Sequence, residues 1–421
     1  MKLLKNEKVI NIIENTLNCV DARLIDHGKR VAYRVYKMLE AQNTYDDIML
    51  RDICILAMLH DIGAYKTEEI DNMVTFEGVN VWEHSVYGYL FLKYFSPLKH
   101  LAPAILFHHA SCKETECLDP FLRELAQIIF LCDRADVFSC RSSSYADFLS
   151  HLEKVRDITF YSGVIEKFRA AAADLVQIDD IINSDEKFNS LLYDTPLSGD
   201  EASRYLEMII FAIESRSRQT VIHTIATVKI TVTLGRLLGV DAQGLEILET
   251  GALLHDIGKT GVPVHILEST NRLNTDEFAI MKSHVDFTGK IIEGSVDEEI
   301  RDLAVSHHEK TNGSGYPKGI PNPSLYIRIL AIADILSALC GERTYKKALS
   351  KDEIAAIITG MSVENMIDPE ITALAIQHYD DILAEVNTAT KPTLDVYTAI
   401  LDEYRIILDC VRRADFKAIR L

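Results

Sequence analysis

The stretch Ser306-His307-His308-Glu309-Lys310-Thr311-Asn312-Gly313-Ser314-Gly315-Tyr316-Pro317-Lys318-Gly319 sets two adjacent histidines and a glutamate directly before a glycine-rich turn. Paired imidazoles are ligands for a transition metal. A turn rich in glycine lets backbone N–H groups approach an anion. The rest of the chain is organised around this segment, because ten of its fourteen histidines fall into two ordered series. One runs His27, His60-Asp61, His84, His108-His109, Asp133; the other runs His223, His255-Asp256, His284, His307-His308, Asp334. The first histidine precedes the His-Asp pair by 33 residues in one series and 32 in the other, and the closing aspartate follows the histidine pair by 25 and 27. Matched spacing of this kind marks an internal duplication.

The apolar pattern around both series is helical. Val221, Ile222, Ile225, Val228, Val232 and Leu234 recur at spacings of three and four, as do Ile53, Leu56, Ala57 and Leu59. Gly63, Gly239 and Gly258 follow apolar runs, as helix stops do. The expected fold is all-α, two helical domains in tandem. The first is expected over 1–183 and the second over 201–385, with a junction over 184–200, where Asn, Ser, Asp, Pro196 and Gly199 accumulate. Residues 386–421 read as a C-terminal amphipathic helix (Leu394, Tyr397, Ile400, Leu401, Tyr404, Leu408) that caps the second domain or pairs with another subunit. The sequence leaves both open, and a homodimer is one expectation.

Composition narrows the function. A chain of 421 residues with 48% hydrophobic and 25% charged residues is long enough for two cores. No apolar run reaches the roughly 18–20 residues of a membrane span, and the N-terminus has no signal-peptide pattern, so a cytoplasmic protein is expected. The eight cysteines form no Cys-x-x-Cys pair and are read as reduced. A net charge of −19 argues against a nucleic-acid polymer as partner. Residues 306–350 nevertheless hold six cationic side chains against three acidic ones, which suits a small anion.

His255-Asp256 ends the apolar run Ala252-Leu253-Leu254, so an imidazole and a carboxylate leave the core together. Five histidines and two aspartates exceed the needs of one tetrahedral ion. Two divalent transition metals fit, with Asp256 as the natural bridge: Fe or Mn first, Zn or Ni as the further options. Such a pair suits in-line attack of water on a phosphodiester.

With His255-Asp256-Ile257-Gly258-Lys259, the His-His-Glu segment, Gly315-Tyr316-Pro317, Arg328 through Asp334 and Arg343-Thr344-Tyr345-Lys346 in that order, residues from about 200 to 380 resemble the HD-GYP phosphodiesterases. That is a branch of the HD superfamily of helical metallohydrolases. The resemblance implies hydrolysis of a 3',3'-cyclic dinucleotide, cyclic di-GMP or cyclic GMP-AMP, to a linear 5'-phosphorylated dinucleotide. It implies His223, His255, Asp256 and Asp334 around one metal and Asp256, His284, His307 and His308 around the other. Lys259 would stabilise the transition state or protonate the leaving oxygen, with Asp256 beside it at the catalytic centre. Gly315, Tyr316 and Pro317 would shape the substrate loop, and Arg343 with Lys346 would hold the second phosphate.

Two positions depart from that pattern. Ser337 stands where members usually carry Asp, and Gln219 where members with a third metal carry Glu, so two metals are expected. In the first series the ligand set His27, His60, Asp61, His84, His108, His109 and Asp133 is intact, and Asp136 supplies the acid absent at 337. Ala64 replaces the lysine, and the chain after His109 has no Gly-Tyr-Pro. The first domain thus resembles an HD domain without the substrate loop: a second metal site, a 5'-nucleotidase acting on the linear product, or a domain kept for packing or regulation. Two rival readings of the whole are a cyclic-dinucleotide receptor without turnover and a hydrolase of another nucleotide.

Overall fold

A computed structural model describes residues 6–20, 25–40, 42–65, 82–139, 145–171, 182–215, 218–267, 269, 271–340 and 349–421. Among them the secondary structure is helical, with one isolated bridge between Arg156 and Phe160 and no strand. The all-α expectation holds. The chain divides into two compact units, one of Ile213–Ala399 and the other of Lys5–Ala212 with Ile400–Leu421.

In the unit that carries the first series, the principal helices are α1 (Asn6–Asn18), α2 (His27–Glu40), α3 (Asp47–Met58), α4 (Trp82–Phe95), α5 (Ala102–Leu106), α6 (Pro120–Ser139), α7 (Tyr145–Lys154), α8 (Ser162–Ala171) and α9 (Gly199–Glu214). Those of the other are α10 (Arg218–Leu237), α11 (Ala242–Leu254), α12 (Thr275–Lys282), α13 (His284–Ile291), α14 (Glu298–Val305), α15 (Leu325–Cys340), α16 (Lys351–Val363) and α17 (Pro369–Gln377), followed by α18 (Tyr379–Arg412). The C-terminal helix expected from residue 386 begins earlier, at Tyr379, and carries Pro392 inside it. Proline there removes one backbone donor but leaves the apolar stripe on one side.

Local chemistry starts these helices where the site needs them. Asp46 caps α3 by accepting from the Met49 amide, and Asp241 caps α11 by accepting from the Gly244 amide. Both helices then run apolar into a His-Asp pair. Helix α10 packs on α11 and α15; Val221, Ala226, Ile230 and Leu234 of α10 are buried, as are Leu248 of α11 and Ile332 and Leu336 of α15. Each buried Val, Leu or Ile side chain among them contributes ~1.5–3 kcal/mol. In the other unit α2 packs on α3 and α6 in the same way. Residues 184–200 are not an open stretch: Phe188 and Leu192 are buried, and Tyr33 stacks edge-on against Phe188.

After each His-Asp pair the chain turns through a short 3-10 segment, Ile62–Tyr65 lying directly on α4 and Ile257–Gly261 directly on α13. A Cβ at Gly258 would stand 2.0 Å from the His284 carbonyl oxygen and 2.3 Å from the Thr288 nitrogen. One at Gly63 would stand 1.9 Å from the His84 carbonyl oxygen and 2.5 Å from the Gly88 nitrogen. Backbone touches backbone at both places, and only glycine permits it. Gly258→Ala therefore forces α13 away from the turn; the expected cost is ~1–3 kcal/mol. A thermal melt should show it as a drop of roughly 2–12 °C, with metal content falling in parallel, and an unchanged melting temperature would contradict the contact.

Candidate metal centre and substrate loop

The two His-Asp turns bring their series together completely. His255 at the end of α11 sets its Nδ1 against the Ala252 carbonyl at 2.6 Å, His284 against Met281 at 2.7 Å and His307 against Ala304 at 2.7 Å. A ring whose Nδ1–H donates to the backbone presents a bare Nε2. These Nε2 atoms converge on Asp256, and they do so in two sets. Its Oδ2 faces His223 at 3.5 Å and His255 at 3.2 Å, while its Oδ1 faces His284 at 3.6 Å and His307 at 4.0 Å. Asp334 adds Oδ1 to the first set, 3.0 Å from His223, and Oδ2 toward His308 at 3.9 Å.

Asp61 is divided in the same manner. Its Oδ2 faces His60 at 3.0 Å and His27 at 3.6 Å, and its Oδ1 faces His84 and His108, each at 3.6 Å. Asp133 Oδ1 lies 3.5 Å from His27, and His109 Nδ1 lies 3.9 Å from Asp133 Oδ2. Four groups of ligand atoms, each group within 4.8 Å, result: His223, His255 and Asp256; His284, His307 and His308; His27, His60 and Asp133; Asp61, His84, His108 and His109.

These residues fit metal ions on a test independent of their spacing. The Nε2 atoms of His60, His108 and His255 and the Oδ1 of Asp61 are buried without a hydrogen-bond partner. An orphaned buried polar atom is costly, and a cation between facing lone pairs removes that cost at all of them.

Without that cation, protons take its place. Burial lowers the basicity of His255, but Asp256 and Asp334 outweigh it and raise its pKa to about 10. His223 is raised for the same reasons. Burial and neighbouring imidazoles hold His307 well below the ordinary value, and burial brings His308 down to about 4, so both stay neutral and ready to ligate. Lys259 donates its ammonium to Asp256 Oδ2 and remains about a quarter exposed, next to the centre but not enclosed by it.

Ser337 accounts for the missing aspartate. Its Oγ lies 2.5 Å from His223 Nδ1 and receives the Thr227 hydroxyl at 2.9 Å. The hydroxyl thus does at His223 what Asp136 Oδ2 does at His27 Nδ1, 2.7 Å away. Asp136 is in turn held by Arg30 and Arg34, so the first centre is the more highly charged of the two.

Glu309, the third residue of the His-His-Glu segment, has a role that sequence reading missed. Its buried carboxylate accepts from the amides of Lys318 at 2.7 Å, Gly319 at 3.1 Å and Ile320 at 3.0 Å, which staples the Gly-Tyr-Pro loop back onto the histidine pair. Gly315 lies so close beneath that a Cβ would meet the His308 carbonyl oxygen at 2.4 Å. The loop consequently lays the Tyr316 ring over His308, centroids 4.6 Å apart. Pro317 is exposed beside it. Arg134 was also missed; it forks onto Asp133 Oδ2 at 2.7 Å and puts a cation at the first centre, where Ala64 offers none. Glu214 is buried with its carboxyl pushed up to about 7 by burial, and it accepts the Thr224 hydroxyl beside His223. Arg328 pairs with Asp368 and ties α15 to α17. Arg343 and Lys346 lie outside the described residues, as does the side chain of Gln219.

The sequence profile of the HD domain family matches residues 204–371. These residues form an HD domain. They hold one whole series of candidate ligands, and HD domains depend on metal, which the facing imidazole and carboxylate atoms could hold. Over nearly its full length the chain is similar to the 3'3'-cGAMP-specific phosphodiesterase 1 of Vibrio cholerae serotype O1, 23% identical over 419 residues, with 90% of this chain and 93% of that protein covered. The HD domain region is 35% identical over 176 residues to the 3'3'-cGAMP-specific phosphodiesterase 3 of the same organism, covering 40% of this chain and 38% of that one. A cyclic di-GMP phosphodiesterase of Thermotoga maritima is 30% identical over 171 residues, 39% of this chain and 46% of its own. In both of these the match spans less than half of the relative's length. A crystal structure of a cyclic GMP-AMP specific phosphodiesterase from V. cholerae aligns with TM-score 0.55 at 19% identity over 91% of this chain and 98% of that chain, a likeness of fold. Among the described residues no helix is long and apolar enough to cross a membrane.

Protonated His255 has no lone pair for a metal, so affinity rises with pH while the proton is being displaced. Chelator competition at pH 6.5, 7.5 and 8.5 should show roughly tenfold tighter binding per pH unit, and pH-independent affinity would contradict the protonated ground state. Ser337→Ala removes the acceptor behind His223 and should weaken metal binding about 10- to 100-fold, with Ser337→Asp restoring it.

Proposed function

We propose that the chain is a metal-dependent phosphodiesterase that opens a 3',3'-cyclic dinucleotide, cyclic GMP-AMP or cyclic di-GMP, to a linear 5'-phosphorylated dinucleotide. The observation that carries this reading is the division of the Asp256 carboxylate between two histidine sets with the stapled Gly-Tyr-Pro loop alongside. Two divalent ions, Fe or Mn first, supply Lewis acidity toward the phosphoryl group and a nucleophile at neutral pH when bound. His223, His255, Asp256 Oδ2 and Asp334 would hold one, and Asp256 Oδ1, His284, His307 and His308 the other.

The remaining chemistry belongs to the chain. Lys259, paired with Asp256, is placed to turn its ammonium onto a phosphoryl oxygen as charge develops there. Burial lowers its basicity, Asp256 restores it, and the net pKa is raised, so it stays charged at neutral pH. Tyr316 walls the centre over His308 and Glu309 keeps that wall rigid. Burial also raises the Tyr316 phenol, which is a neutral donor rather than a base. Ser337, which stands where the family usually carries Asp, still meets the Nδ1 of His223, so this departure leaves the ligand set whole and favours turnover over a receptor without it.

The first centre has the same ligand geometry without the lysine or the loop, and Arg134 lies beside it. A guanidinium fork suits a terminal phosphate, and removal of the 5'-phosphate from the linear product is the reaction proposed for this unit.

Anaerobic loading with Fe(II) or Mn(II) followed by product chromatography tests both parts. Wild type should yield a linear dinucleotide, and Lys259→Ala should lower kcat roughly 100- to 1000-fold at unchanged metal content. Asp61→Ala should leave cleavage of the ring intact and make the 5'-phosphorylated linear product accumulate; an unaltered product ratio would remove the phosphatase role.

A further inference from the structure

Helix α12 stands at the rim of the metal centre, next to the Gly-Tyr-Pro loop, and none of its eight residues is buried. So short a helix with no packed face has little intrinsic stability. It is held at its start by a reciprocal capping box between Asn274 and Glu277. Helix α12 nevertheless displays Phe278, 48% exposed, where a polar residue would serve the helix better. The Phe278 ring is not isolated: it meets Tyr316 edge to face at 6.4 Å, and Tyr316 lies on the metal ligand His308.

Lys282 follows one turn later on the same face. Its ammonium is 5.2 Å from the Phe278 ring centroid and 5.7 Å from that of Tyr316. Among the described residues it pairs with no carboxylate, whereas Lys318, on the same loop as Tyr316, is neutralised by Asp302 at 3.0 Å. A cation supported only by two ring faces is left open to an anion, and a half-exposed ring capped on one side leaves its other face for a planar group.

We propose that Phe278 and Lys282 form the outer wall of the substrate site, Phe278 stacking on one purine base and Lys282 adding a cation to the phosphate that is not being cleaved, the same phosphate that the family resemblance directs to Arg343 and Lys346. This rests on the cyclic-dinucleotide reading. It supplies, from residues of α12, what a substrate with two bases and two phosphates needs beyond the metal ligands. Because guanine and adenine both stack, the wall contributes affinity and leaves base choice to other contacts.

The metal-loaded full chain is assayed for KM and kcat on cyclic GMP-AMP and cyclic di-GMP. Phe278→Ala should raise KM about 10- to 100-fold while kcat moves less than about threefold, at an unchanged melting temperature, since an exposed ring leaves no cavity. Phe278→Trp should restore KM, and its added fluorescence should be quenched by the linear dinucleotide product. Lys282→Gln should raise KM roughly tenfold, and Lys282→Arg should recover it. If wild type cleaves the ring but Phe278→Ala keeps its KM, or the Phe278→Trp signal is not quenched, the wall is overturned and the phosphodiesterase reading stands. If wild type cleaves neither compound, that reading falls and the wall falls with it.

Discussion

One carboxylate, Asp256, divides its two oxygens between two sets of imidazoles, and the helices around it are placed to maintain that division. His223 comes from α10, His255 from the end of α11, His284 from the start of α13 and His307 from the turn after α14. Four separate elements must end or begin within one ion's reach of a single side chain. The bare contact of Gly258 with the backbone of α13 allows this, because any side chain there would lift His284 away. Thr288 reinforces it by donating to the His255 carbonyl and accepting from the Gly258 amide, each at 3.0 Å.

The chain contains this device twice, and comparison within the molecule separates scaffold from specialisation. The glycine contact, the i−3 carbonyls behind the histidines and the split aspartate recur at Gly63, His60, His108 and Asp61. Other positions diverge. Lys259 becomes Ala64, Glu309 becomes Ala110, Thr288 becomes Gly88 and Ser337 becomes Asp136. The first centre loses the cation and the stapled loop, and gains a full carboxylate behind His27 together with Arg134 on Asp133. The Asp136 carboxylate behind His27 makes that ring more basic than the Ser337 hydroxyl makes His223. The two centres are therefore alike in what they hold and different in what they present to a ligand.

Electrostatics explains why so many titratable groups tolerate burial in one place. In the second centre the imidazoles nearest the aspartates are driven basic and those that face other imidazoles are driven neutral. Burial alone would push every one of them toward neutrality. Carboxylates outweigh burial at His223 and His255, whereas burial prevails at His307 and His308 with neighbouring imidazoles adding to it. Metal binding releases protons from such a site and gives its unpaired nitrogen atoms a partner.

The helical fold, the duplication and the seven candidate ligands of each centre were legible in the sequence, because residue type and helical period are written in composition and spacing. So was the loop Gly315-Tyr316-Pro317, whose glycine is demanded by the carbonyl of His308 pressed against it. Other residues depended on tertiary placement. Ser337 reads as a defect in one dimension and as the acceptor for His223 in three, because 114 residues separate the pair. Glu309 stands in the sequence only as the residue after two histidines, and the fold turns its carboxylate to the amides of Lys318, Gly319 and Ile320. Phe278 and Lys282 have no signature at all until α12 brings them beside Tyr316. Sequence determines which groups can bind a metal; only packing decides which oxygen each faces and which rings stand open beside it, since those depend on distances between elements far apart in the chain.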